Sequence, residues 1–289
     1  MNFEKIFPYQ HFTNFDKRIA YPYLIASVLM VIIFYIFKKK SLNPKTLFNY
    51  IFNYKILYHT STFTDIFFFI FNHIFILFLV IPFVISQVKI IQFIDETLSH
   101  FCPHFQPWQM APIALSLLYT LLYFILSDFS RYLVHYTLHR TPFLWEFHKV
   151  HHSATVLTPI TLYRVHPIEA LFYFIRNLLT VGFIAGVFSF LFMGEINFTT
   201  ILGVQVFDLL FNLLGANLRH SHVPISFGKT LETFFISPIM HQTHHSISKN
   251  KNSKNLGSAF TFWDILFKTY RRPDFKPIRF GLSKKQRAK

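Results

Sequence analysis

Eleven of the sixteen histidines lie between residues 135 and 245, and their spacing repeats. The stretch "HYTLH" sets His135 and His139 four apart, "HKVHH" holds His148, His151 and His152, and "HQTHH" holds His241, His244 and His245. Between them stand His166 in "RVHP" and His220 and His222 in "RHSHV". On a helix, offsets of three and four place imidazoles on one face about a turn apart, so a helix can offer a metal several nitrogens at once. No cysteine lies nearby and carboxylates are few, so the donor set is almost wholly imidazole. That suits iron, zinc, copper or nickel and not magnesium or calcium. One ion takes about four to six ligands, so the count implies two ions. No G-x-S-x-G elbow or paired acidic motif is present, and the uniform residue type argues against a hydrolytic triad.

The composition says what kind of scaffold must hold these residues. Of 289 residues 52% are hydrophobic, 40 are Phe and 14% are charged, with a mean hydropathy of +0.36, which reads as an integral membrane protein. Lys and Arg total 28 against 13 Asp and Glu. The positives flank apolar runs, in "FKKK" (37–40), around Lys45 and Lys55 and in the tail, so they point to an anionic leaflet and not to nucleic acid. The single cysteine, Cys102, excludes an intramolecular disulfide and any multi-cysteine metal site.

The expected fold is all-α: an integral membrane helical bundle with four to five membrane segments and a cytosolic cap carrying the histidine boxes. A bilayer core asks for about 20 apolar residues per helix. Candidates are 21–37, which reads as a retained span and not a cleaved leader, and 66–86, with Asn72 and His73 mid-span and a kink expected at Pro82. A third starts near Pro112 with a helical pattern running on to Arg140, and a hairpin of 170–193 and 198–214 turns at "GEIN". Arg176 and Asp208 within that hairpin are expected to face protein, since facing lipid is costly, and His73 is expected to be an ordinary packed histidine. Lys38, Lys39 and Lys40 assign the loop to Lys55 to the cytosol, the loop 87–109 to the opposite side, and every histidine-rich stretch to the cytosol again. The chain divides into an N-terminal anchor region, 1–109, and a region 110–289 that carries the boxes, the hairpin and a basic tail.

Over residues 110–270 the sequence resembles the fatty acid hydroxylase/sterol desaturase superfamily of membrane di-iron oxygenases. The resemblance rests on "DFSRYLVHYTLH" (128–139), "LWEFHKVHHS" (144–153), "YRVHP" (163–167), "RHSHV" (219–223), "SPIMHQTHHS" (237–246), "NLG" (255–257) and "FWDILFKT" (262–269), in the family's order. It implies two iron ions, O2 as co-substrate, and hydroxylation or desaturation of a lipid such as a sterol, fatty acyl or alkylglycerol lipid. Carried over by motif, His135, His139, His148, His151, His152, His241, His244 and His245 are metal ligands, with His166 and His220 as additions. The sequence departs from the family's pattern at His222, where Asn is frequent, and at Lys268, where Gly is usual. No "HPGG" haem motif is present, so electrons must come from a separate donor such as cytochrome b5, a ferredoxin or a reductase. Breaking an unactivated C–H bond needs an oxidant that no side chain supplies, which agrees with a redox metal.

Other roles stand beside these. His166 is a ligand or a cap for the turn at Pro167, and His222 is a ligand or a support for one. Asp128, seven residues before His135, orients a ligand imidazole or binds an N–H within the bundle. Asp264 supports a ligand or caps a helix start. Lys149, Arg164 and the tail offer a basic face to an acidic electron donor. A histidine-rich metal transporter is the alternative function, but transport sites place ionisable groups mid-bilayer, whereas these boxes follow the ends of the apolar segments. The expected location is the endoplasmic reticulum membrane in a eukaryote or the inner membrane in a bacterium.

Overall fold

Apolar runs of this length leave backbone N–H and C=O groups no water to bind, so helices must satisfy them internally. The computed structural model describes residues 8–39, 43–81, 86–193, 196–201, 204–247, 253–273 and 278–283. We number its main helices α1 (Tyr21–Lys39), α2 (Pro44–Ile51), α3 (Thr60–Phe75), α4 (Gln87–Phe101), α5 (Pro112–Arg140), α6 (Pro142–His152), α7 (Pro167–Leu191), α8 (Val206–Leu213), α9 (Pro238–His244) and α10 (Phe262–Leu266). Four are long and apolar enough to cross a membrane: α1, α3 with its π-helical extension Ile76–Val80, α5 and α7. The fold is therefore a helical membrane bundle. The kink expected at Pro82 and part of the "GEIN" turn lie outside the described residues.

Proline punctuates the site-bearing helices. It opens α5, α6, α7 and α9, where its missing N–H would have had no partner in any case. Thr141, forced out of the helical region by Pro142, is extended at φ −95 and ψ 115, and it divides α5 from α6. The chain folds back there, so α6 carries its histidines against the last turns of α5. A core of Leu115, Tyr119, Ile184, Ala185, Phe188 and Phe192 joins α5 to α7.

Two expectations are corrected. The stretch 87–109 is not a simple loop: α4 packs along α7, and Gly182 and Gly186 let it approach. A Cβ on Gly186 would meet Ile94 Cβ at 2.7 Å and the Ile91 carbonyl at 2.9 Å. The stretch 198–214 is not a fifth spanning helix. Thr200–Ile201 pairs antiparallel with Val204–Gln205, and the Gln205 side chain accepts from Asp208 N to start the short α8. Parts of this irregular return pack against α5, with Gln205 buried. Thr199 N donates to Thr120 Oγ1 (2.8 Å), Gln205 Nε2 to Thr120 O (3.1 Å), and Phe207 and Phe211 pack on Phe124. Non-helical backbone persists at such depth only where protein covers it.

The 25 residues of α7 span roughly 37 Å at 1.5 Å per residue. At its first turn Glu169 meets His148, and at its last Trp108 N donates to Leu191 O. The exposed Cys102 and the histidines therefore sit toward opposite ends of this helix. An impermeant thiol reagent is expected to label Cys102 from one side of the membrane. A cysteine at the exposed Thr155, in a Cys102→Ser background, should react from the other side. Labelling of both from the same side would overturn this arrangement.

Candidate metal centre

Nine histidines converge in two groups. His135, His139, His148, His152 and His244 form one; His151, His220, His241 and His245 form the other, and the ligand atoms within each lie within 4.8 Å of one another. Each H-x-x-H-H box is split between them: α6 sends His148 and His152 to the first group and His151 to the second. α9 and its end send His244 to the first and His241 and His245 to the second. The rings of His152 and His245 stack at 4.7 Å where the groups meet.

The donor geometry tests whether these groups fit metal ions. In the first group the Nε2 atoms of His135 and His148 are 3.1 Å apart, as are those of His148 and His139, and His152 Nε2 is 3.2 Å from both His139 and His148. In the second, His220 Nε2 lies 3.3 Å from His151, 3.2 Å from His245 and 3.1 Å from His241. Nitrogens bound about 2.1 Å from one ion, at angles between about 90° and 109°, stand about 3.0–3.4 Å apart. Mutual hydrogen bonding does not explain the contact of His135 with His148, whose Nδ1 atoms face the Leu256 carbonyl and the Glu169 carboxylate. The Nδ1 atoms of His135, His151 and His244 face the carbonyls of Leu256 (2.7 Å), Arg164 (3.2 Å) and Lys254 (3.1 Å). A carbonyl only accepts, so Nδ1 carries the proton in each ring and Nε2 presents a lone pair inward. His244 Nε2 is buried with no hydrogen-bond partner among the described residues. Inward lone pairs at such spacing repel unless a cation lies among them.

The protonation state also fits. Burial holds His148 near pKa 3, and burial together with His148 does the same for His151. Burial and neighbouring histidines hold His152, His220, His241, His244 and His245 well below the usual histidine range. These imidazoles are neutral at pH 7, as metal ligands must be.

A layer of acceptors fixes the rings. Glu169, in the first turn of α7, accepts from His148 Nδ1 at 2.8 Å. The sequence reading missed it; its only signal was a carboxylate three residues beyond His166 in "HPIE". Asp264 does not touch a histidine. It accepts from Leu256 N (2.8 Å) and Gly257 N (2.9 Å), and so holds the loop whose Leu256 carbonyl orients His135. Gly257 must be glycine here, since a Cβ would lie 2.8 Å from Asp264 Oδ2. Asp128 binds the same loop from α5, accepting from Ala259 N, Phe260 N and Trp263 Nε1 at 2.9–3.1 Å. Lys268 is left-handed at φ 58, a conformation suited to the glycine that the resembling family usually has there.

The remaining candidates stand apart. His166 lies at the start of α7, where its Nδ1 accepts from Ile168 N at 3.2 Å, outside both groups. His222 donates from Nε2 to Tyr50 O at 2.6 Å, also outside them. Arg164 is not on a basic face. It is buried against Asp65 (3.1 Å) and donates to Val150 O and Ser153 Oγ, which ties α3 to α6. Replacing Glu169 with Ala strips His148 of its acceptor. Metal affinity is expected to fall about 10- to 100-fold, with Glu169→Gln recovering part of it, measured by competition with a chelator. An unchanged affinity in Glu169→Ala would show that this contact does not support the metal.

The comparisons with known proteins concern this same region. The sequence matches the fatty acid hydroxylase family over residues 120–269, a stretch that holds all nine converging histidines, Glu169, Asp128 and Asp264. It is 28% identical over 177 residues to OlsE, an ornithine lipid hydroxylase of Rhizobium tropici. The alignment covers 61% of this chain and 46% of that protein, so the chain matches less than half the length of this relative. No solved structure matches. With four helices apolar and long enough to cross a membrane, a double histidine cluster, and a family match over just over half its length, this chain belongs to the fatty acid hydroxylase family.

Proposed function

We propose that this protein is an O2-dependent di-iron hydroxylase of a membrane lipid, with one ion in the five-histidine group and one in the four-histidine group. The observation that carries the reading is the convergence of nine neutral imidazoles, with Nε2 spacings of a single ion's ligands, at the end of a membrane bundle. Two iron ions bound there would supply the reduction of O2 and the oxidant that takes hydrogen from carbon. In hydroxylation one oxygen atom enters the C–H bond and the other leaves as water, consuming two electrons and two protons. Desaturation at the same site would remove two hydrogens and leave no oxygen in the lipid.

The chain's own residues set the conditions. Carbonyl acceptors hold the rings of His135, His151 and His244 in the tautomer that offers Nε2, and Glu169 holds the proton on His148 Nδ1. Near-complete burial of His148, His152, His244 and His245 keeps bulk water from the reacting atoms. Electrons come from a separate donor such as cytochrome b5, a ferredoxin or a reductase, and the boxes face the cytosol. The similarity to an ornithine lipid hydroxylase supports a polar membrane lipid as the substrate.

Purified protein is expected to hold two iron ions per chain, and His220→Ala to hold fewer. Reconstituted with a reductant and membrane lipid, it should incorporate label from 18O2 into product in unlabelled water. One ion or none in folded wild-type protein would sink the two-metal reading. Turnover without O2 would exclude both hydroxylation and desaturation.

A further inference from the structure

Four arginines come near one another beside the four-histidine group, Arg219 buried and Arg18, Arg131 and Arg176 half-buried. Arg18 precedes α1, Arg131 lies on α5, Arg176 on α7, and Arg219 on the turn that carries His220. Arg131 is the hub: it lies within electrostatic reach of Arg18, Arg176 and Arg219. Arg18 and Arg219 both stand over the Phe211 ring, at 5.3 and 4.5 Å from its centroid. Asn217 Nδ2 donates to the Arg18 carbonyl at 2.7 Å, so the segment that presents Arg219 and His220 also fixes Arg18.

Among the described residues, no carboxylate comes within 4.0 Å of any of these guanidiniums; the only such pairs involve His148, Lys149 and Arg164. Arg18 donates no side-chain hydrogen bond to a described residue, Arg131 reaches only Ser258 Oγ at 3.4 Å, and Arg219 reaches only Ile236 O at 3.2 Å. Two carboxylates are near, Asp128 and Asp208, but Asp128 is engaged by three N–H donors. Four cations against two anions leave a local excess of positive charge, buried at Arg219 and half-buried at the other three. Burial and then its neighbour Arg131 pull Arg18 down to about 10, so it stays cationic at neutral pH. Uncompensated buried charge is costly, and a guanidinium's planar fork of donors matches an oxyanion.

Nearby, a groove of about 810 Å³ runs between α4, α5 and α7, lined almost wholly by apolar side chains such as Ile90, Phe93, Leu126, Leu179 and Phe183. Its polar lining is Lys89, Ser130 and Thr180, and Ser130 Oγ accepts from Arg176 at 2.8 Å. An apolar trough thus ends at the residue that Arg176 grips.

We propose that Arg18, Arg131, Arg176 and Arg219 seat the anionic head group of the lipid substrate, its phosphate or carboxylate, while its alkyl chain lies in the groove between α4, α5 and α7. This rests on the lipid hydroxylase reading. Because Arg219 adjoins His220, the carbons presented to the metals are those of the head group and its immediate neighbours. The chain's far end stays outside.

The test uses full-length, metal-loaded protein in a neutral detergent, titrated with dodecyl phosphate, dodecanol or inorganic phosphate, with the thermal midpoint as readout and metal content measured on every sample. Dodecyl phosphate is expected to raise the midpoint at concentrations at least 10-fold below those needed for either dodecanol or inorganic phosphate. Arg18→Gln and Arg131→Gln should each weaken that response at least 10-fold with metal content unchanged, whereas Lys229→Gln, at an exposed position, should not. Dodecanol acting as well as dodecyl phosphate, or undiminished responses in both arginine variants, would overturn the anion seat. Inorganic phosphate acting as well as dodecyl phosphate would overturn the lipid as the source of the anion. An arginine variant that loses metal is replaced by the other, and loss of metal in both would assign these arginines to folding and overturn the proposal. Absence of metal from the wild type bears on the hydroxylase reading alone, because the binding comparison is read separately.

Discussion

Nine imidazoles crowded into two groups, with ligand atoms within 4.8 Å of one another in each, need a rigid frame behind the rings. Most of the cap serves that frame. The carbonyls of Leu256, Lys254 and Arg164, and the Glu169 carboxylate, fix the protonated side of four rings. The segments that carry the three carbonyl acceptors are in turn secured. Asp264 and Asp128 pin the 256–263 loop, Asp65 pins Arg164, and Asn255 ties that loop to α9 through Met240 O. Gln242 binds α9 to the His220 segment through the carbonyls of Leu218 and Val223. Loosening any one of these supports lets a ring rotate, and a ring turned away no longer presents its Nε2 lone pair.

Much of this was legible in the sequence, for a physical reason: imidazole donors at helical offsets have few other uses in such numbers. The boxes, the long helix carrying His135 and His139 to its end, and the apolar spans all follow from periodicity and hydropathy. What escaped was whatever depends on contacts distant in sequence. The stretch 198–214 is apolar enough to look like a span, yet Thr200–Ile201 pairs with Val204–Gln205, and Thr120 on α5 takes the Thr199 N–H and the Gln205 side chain. Glu169 is invisible without the fold, because nothing local links it to a histidine 21 positions earlier. His166 and His222 carry the right side chain but meet Ile168 N and Tyr50 O. Residue type alone does not separate a cap from a ligand.

The arrangement also explains why charged groups occur in so apolar a chain. Arg164 and Asp65 satisfy each other where α3 meets the cap, and Arg176 donates to Ser127 and Ser130 across the α5–α7 interface. Polar residues at such depth face protein, as their cost in lipid requires.

The split of each vicinal pair, His151 from His152 and His244 from His245, has a consequence for assembly. Adjacent Cα atoms are about 3.8 Å apart, so the offset between the two centres is fixed covalently at two places and does not rest on packing alone. Each centre also draws on both α6 and α9. Neither can be completed while those helices are apart, and a chain with one finished centre has already brought the ligands of the other within reach. Docking α6 against α9 therefore gathers the histidines of both groups in one event, and neither group forms ahead of the other.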